Sequence, residues 1–212
     1  MKSLSHPLLI RIFHWTMFLS VTLLMLTGFY MDSPWDWLTV SMEFVRKTHT
    51  LFSGIVLANL AAHSYHYLFT HTVSDILIVP RDWSNVPSFL RYVFFITENH
   101  PNFGHYNPGQ KFIFSLWFLA IILSGITGGI LLFPGDTSWL QLHLGGLHQI
   151  RIVHYSIAIF FVITVTLHIY LVFTESPANL QAMFTGYIDK EPEGSEHGGI
   201  DTSKASKYNG AK

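Results

Sequence analysis

Four stretches of this 212-residue chain, each about 20 residues long, run almost free of charge: Leu8 to Met31, His49 to Phe69, Phe112 to Phe133 and Ile152 to Phe173. An α-helix of about 20 residues crosses ~30 Å of hydrocarbon, whereas buried strands run about 4–8 residues, so each stretch reads as a membrane helix. Charged residues make up only 12% of the chain, against about 25% in an average soluble domain. So few charges cannot cover a water-facing surface, which argues against a soluble enzyme and against a disordered chain. The first stretch is read as a retained helix and not a signal peptide. Its apolar run is too long, and Gly28-Phe29-Tyr30-Met31-Asp32 offers no small-x-small cleavage site.

The sequence therefore predicts an all-α integral membrane four-helix bundle over residues 1–188, followed by a flexible polar tail over 189–212. Lys2 and Arg11 precede or open the first helix. Arg81, Arg91 and Lys111 lie in the second connection, and Lys190, Lys204, Lys207 and Lys212 in the tail. The first and third connections hold only Arg46, Lys47 and Arg151, so the positive-inside rule puts both termini in the cytoplasm. The segment from Pro87 to Glu98 has the pattern of an amphipathic helix lying along the interface. No internal repeat stands out.

The net charge of −1 gives no basic field for nucleic acid. The absence of cysteine removes disulfides, iron–sulfur clusters, thiolate zinc sites and covalently attached c-type haem. The chain has 13 histidines, as many as its Asp and Glu together. His14, His49, His63, His154 and His168 lie inside the stretches, with His66 close to an end. Any one imidazole at membrane depth can be a neutral group hydrogen-bonded to a neighbouring helix. Their spacing says more.

His154 and His168 are 14 residues apart, just under four turns, so they share a helix face with ~21 Å between them. That arrangement suits two haems stacked across a bilayer, each iron taking two axial imidazoles. With alternating helix directions, His49 matches the outer depth of His154, and His14 matches the inner depth of His168. His63, itself 14 residues from His49, also lies at the inner depth, and depth alone leaves His14 and His63 open. Gly28, Gly54, Gly125, Gly128 and Gly129 permit close approach of helices or of a flat macrocycle. Arg11, Arg46 and Arg151 could balance haem propionates or simply snorkel.

The chain resembles the membrane cytochrome b (gamma) subunit of respiratory formate dehydrogenases and, more distantly, the cytochrome b subunit of nickel–iron hydrogenases. Phe13-His14-Trp15, Arg46-Lys47-Thr48-His49 with Gly54, His105-Tyr106-Asn107-Pro108-Gly109-Gln110-Lys111, Arg151-Ile152-Val153-His154 and Leu167-His168-Ile169-Tyr170 carry the resemblance over residues 8 to 188. It implies two haems b, the inner held by His14 and His168 and the outer by His49 and His154, and it favours His14 over His63. It implies a site for menaquinone or ubiquinone at Asn107, Gly109 and Gln110, where the plain alternative is a turn before the third helix. It further implies an iron–sulfur partner, a catalytic subunit carrying molybdenum or tungsten, and residence in a bacterial inner membrane. The chain would then be the quinone-reactive electron-transfer subunit, with the primary oxidation elsewhere. The alternatives are a hydrogenase or other reductase subunit and, in a different class, a histidine-using ion transporter.

Overall fold

The computed structural model describes residues 2–4, 6–94, 96–97, 106–175 and 177–189. In chain order these form β1 (Lys2–Leu4), α1 (Leu8–Asp32), α2 (Met42–Phe69), α3 (Val73–Ile76), a 3₁₀ turn (Pro80–Asn85), α4 (Val86–Val93), α5 (Pro108–Leu132), α6 (Ser138–His143), α7 (Gly146–Glu175), α8 (Pro177–Thr185) and β2 (Tyr187–Asp189). Four helices are long: α1 and α5 have 25 residues each, α2 has 28 and α7 has 30. At 1.5 Å per residue all four exceed ~30 Å.

The helices start earlier than hydropathy alone suggests, because capping and not apolarity sets their ends. The apolar stretch of α2 begins at His49, yet the helix begins at Met42, where the Ser41 hydroxyl accepts the Phe44 amide. The Phe112 start expected for α5 moves back to Pro108. There Asn107 and Gln110 form a reciprocal capping box behind a proline in the first turn. The Ile152 start expected for α7 moves back to Gly146, and Gly145 and Gly146 turn the chain out of α6 at φ +82° and +89°, which favours glycine. Where the interfacial helix is expected from Pro87 to Glu98, a helix runs over Val86–Val93, and part of the expected end lies outside the described residues. The expected tail, apart from Asp189 in β2, lies outside them too.

Among the described residues, three segments are both long and apolar enough to cross a membrane: Leu8–Asp32, Pro108–Leu132 and Gly146–Thr174. Helix α2 is long enough but not apolar enough, because Glu43, Arg46, Lys47, His49, Asn59, His63 and His66 dilute it. Two of these side chains are used between helices, His49 reaching Thr27 of α1 and Asn59 donating to the Phe13 carbonyl at 2.9 Å, whereas Glu43 and Lys47 pair with each other on the exposed first turns. The outward faces of the apolar helices are bare. Leu19, Leu119 and Ile163 are 55%, 60% and 62% exposed, a surface suited to lipid and not to water. Inside, Val56, Ile121, Ile157 and Phe161 from α2, α5 and α7 form one cluster, with Met17 and Val21 of α1 against it.

The two ends of the described chain meet. β1 pairs antiparallel with β2, Lys2 opposite Asp189 and Leu4 opposite Tyr187. Beside them Arg11 donates to the carbonyls of Met183 and Phe184 at the end of α8, and the Trp15 indole donates to Met183 at 3.1 Å. A cation on the last carbonyls of a helix also offsets its dipole. Arg11 is thus a clasp between α1 and α8.

The connection between α2 and α5 is tied to the start of α5 by a buried ion pair. Lys111 Nζ lies 3.0 Å from Asp82 Oδ1 and 2.8 Å from the Ser74 carbonyl, and Asp82 Oδ2 accepts the Val79 amide at 2.9 Å. Asp82 is 6% exposed and Lys111 9%. Burial pushes the Asp82 carboxyl up, but the Val79 amide and the Lys111 ammonium outweigh it and hold the carboxyl below its ordinary value. A depressed carboxylate contributes stability that is fully present above the unfolded value of about 3.9 and is lost as pH falls through the lower folded value. Removing one partner strands the other, a loss of order 3 kcal/mol. Asp82→Asn and Lys111→Met are therefore each expected to lower the thermal midpoint of the detergent-solubilised protein at pH 7. Because the two share one interaction, the double variant falls well short of the sum, and full additivity would refute the coupling.

Candidate functional site

Helices α1 and α2 run antiparallel in a register that puts Thr27 beside His49 at one end and Phe13 beside His63 at the other. Thr27 Oγ1 is 2.8 Å from His49 Nδ1, and the Phe13 and His63 ring centroids are 5.0 Å apart. Helices α5 and α7 repeat the arrangement, with Thr127 Oγ1 2.8 Å from His154 Nδ1 and the Trp117 indole donating to Thr164 at 2.8 Å. The helix packing brings His49 close to His154, and His168 and His63 close to His14.

At the level read as outer, His49 and His154 face each other across the helix pairs, their ring centroids 6.4 Å apart and their planes crossed at 63°. Imidazole–metal bonds of about 2.0–2.1 Å, with ~1.1 Å from nitrogen to ring centre, put the centroids of two imidazoles on one metal ~6.3 Å apart. The spacing fits a haem iron between them. Glycine supports it: a Cβ on Gly28 would lie 3.5 Å from His49 Cε1, one on Gly128 would lie 3.3 Å from His154 Cε1, and one on Gly54 or Gly129 would meet nothing within 4 Å. Both histidines carry an arginine three residues earlier, Arg46 and Arg151, both exposed and one turn nearer the helix start.

At the other level, His168, His6 and His63 lie within electrostatic reach of His14. The His168 ring stands edge-on to Trp117 at 5.4 Å. His63 sits between Phe13 and the Tyr67 ring at 4.8 Å, and its electrostatic neighbours include His66 as well as His14. Among the described residues, three buried side-chain atoms have no hydrogen-bond partner: His14 Nδ1, His63 Nε2 and Asn59 Oδ1. All three belong to this level or just above it on α2, where polar groups at membrane depth call for a partner. No group of three or more His, Cys, Asp or Glu converges for a bare metal ion among the described residues. The outer imidazoles come as a facing pair, the number a haem iron takes.

Asn107, Gly109 and Gln110 are together at the start of α5. Asn107 Oδ1 accepts the Gln110 amide at 2.8 Å and Gln110 Oε1 accepts the Asn107 amide at 2.9 Å, so both side-chain carbonyls are spent on the cap. Their amide nitrogens take no part in it. Gly109 packs so closely on Phe89 that a Cβ would come within 2.5 Å of the ring. Both the turn reading and the availability of amide donors are compatible with this arrangement.

Sequence reasoning missed Thr27, Thr127 and Asn59. A signal for the threonines exists: Thr-Gly occurs at 27–28 and again at 127–128, one helix before each Arg-x-x-His at 46–49 and 151–154. It is too short to register as a repeat until the helix pairs are laid side by side.

Residues 5–186 match the family model described as prokaryotic cytochrome b561. Comparison with individually curated proteins gave no match. A model spanning nearly all of the helical chain, over helices apolar enough for the bilayer, shows that the protein belongs to the prokaryotic cytochrome b561 family. It is a haem b-binding electron-transfer protein of the bacterial inner membrane.

Proposed function

We propose that this chain is the dihaem membrane subunit of a formate dehydrogenase-type complex, passing electrons from an iron–sulfur subunit outside to a quinone at the inner face. The observation that carries the reading is the facing of His49 and His154, 6.4 Å between ring centres, with a second histidine 14 residues further along α7. When bound, the haems would supply one-electron carriers at two depths. The residues do the rest. His49 and His154 hold the outer position, and His14 and His168 the inner, with His63 as the alternative. The Asn107 and Gln110 amides and the Gly109 backbone offer donors to a quinone carbonyl, with protons taken from the cytoplasm. Four crossings with both ends cytoplasmic accord with the pairing of β1 and β2 at one end. Helix α2 then crosses despite its polarity because His49 and Asn59 bond to α1, and its charged Glu43, Arg46 and Lys47 lie in the first turns at the membrane edge. A chain without cysteine leaves the iron–sulfur and molybdenum or tungsten chemistry to partner subunits.

A reduced-minus-oxidised optical spectrum with haem quantified per chain tests the core of this reading. About two haems b per chain are expected, and one or none would overturn it. The same membranes, given formate or hydrogen in turn, test the complex. Reduction by formate, with an iron–sulfur subunit co-purifying, is expected; reduction by hydrogen alone transfers the chain to the hydrogenase reading.

A further inference from the structure

We infer that Thr27 and Thr127 are the positioning residues of the outer site: each accepts the Nδ1–H of its histidine and so turns a bare Nε2 toward the iron. The inference rests on the reading of His49 and His154 as haem ligands. Thr27 Oγ1 lies 2.6 Å from the Leu23 carbonyl and 2.8 Å from His49 Nδ1. Thr127 Oγ1 lies 2.8 Å from the Leu123 carbonyl and 2.8 Å from His154 Nδ1. A hydroxyl has one proton, and a carbonyl can only accept. Each oxygen also lies 3.2 Å from a second carbonyl, Leu24 or Ser124, and all three contacts are satisfied only if the one proton goes to the carbonyls and the oxygen accepts from the imidazole. Nδ1 therefore carries the ring proton, and the lone pair of the neutral ring is on Nε2, where a metal can use it. The opposite tautomer would cost the contact to the carbonyl and leave a proton on the nitrogen that must ligate.

The glycine after each threonine completes the device. The threonine pins one ring nitrogen, and at position 128 the missing side chain leaves room for the His154 Cε1 edge, which a Cβ would crowd at 3.3 Å, whereas a Cβ at Gly28 would only touch His49 at 3.5 Å. Two helix pairs supply the unit in two copies, one per ligand. The inner level is built differently: among the described residues His14 Nδ1 has no acceptor. A hydrogen-bond acceptor on Nδ1–H raises the basicity of the ligand and favours ferric over ferrous iron. The threonines therefore lower the potential of the outer haem, the one nearer the electron donor.

The test uses the haem-loaded protein carrying Thr27→Val, Thr127→Val, Thr27→Ser or Thr127→Ser. Valine keeps the shape and removes the hydroxyl, whereas serine keeps the hydroxyl. The valine variants are expected to retain both haems as isolated and to show an upward shift of one midpoint potential. The low-spin ferric electron paramagnetic resonance signal that reports the angle between the imidazole planes should move as well. Transfer of haem to apomyoglobin should indicate roughly 10- to 100-fold weaker retention. Serine should return all three to wild type. If Thr27→Val is poorly assembled, Thr127→Val puts the same question to the other helix pair. Wild-type potentials and spectra in the valine variants would overturn the positioning role while leaving the ligands in place. Retention of both haems by His49→Ala would instead overturn the ligand reading itself.

Discussion

His49→Ala and His154→Ala are each expected to lower the haem content from about two per chain to about one, and to stop quinone reduction by electrons delivered from outside. The expectation follows from geometry. The two rings belong to different helix pairs, so neither has a substitute on its own helix at that depth, and each faces the other at 6.4 Å. The two variants should be indistinguishable in the spectrum, because an iron deprived of either ligand loses its six-coordinate low-spin state. Truncating a half-buried imidazole also removes packing, so His→Met, which fills space and can still ligate, is the companion. It should retain haem with an altered band. The ion-transporter reading expects the opposite: no haem absorption in wild type and no spectral change in either variant.

The second large effect separates His14 from His63. His14→Ala should remove the other haem and with it the quinone reaction, whereas His63→Ala should keep both haems and cost only packing, of order 1–2 kcal/mol. The basis is the company each ring keeps. His168 is the strongest electrostatic neighbour of His14, whereas His63, also within reach of His14, is held between Phe13 and Tyr67 with His66 beside it. Both rings carry a buried nitrogen without a partner, so orphaned polarity alone does not choose between them. Haem quantified in the two alanine variants does. Loss in His63→Ala with retention in His14→Ala would move the inner ligand to α2, and loss in both would make the two imidazoles interdependent.

The approximate position of the long helices was legible because apolar length is written locally, about 20 residues of side chain deciding the fate of about 20 residues of backbone, whereas α2 is helical without being apolar enough to count among the three spans of the described residues. The starts of α2, α5 and α7 were not, since Ser41, Asn107 with Gln110, and Gly145 with Gly146 set them through capping and turn geometry outside the apolar runs. The 14-residue spacing of His154 and His168, and of His49 and His63, could be read because both partners lie on one helix, where 3.6 residues per turn fixes the shared face.

The sequence by itself determined the membrane class, the approximate course of the long helices, the spacing of the histidines along each helix and the absence of any cysteine-held cofactor. Only the tertiary structure decided which rings face each other, that Thr27 and Thr127 serve those rings, that Asp82 and Lys111 close a buried pair, and that Arg11 binds the end of α8. The division has a physical cause. Periodicity and hydropathy act between residues a few positions apart, whereas a hydrogen bond between side chains 22 or 27 residues apart depends on the rotation and register of two packed helices.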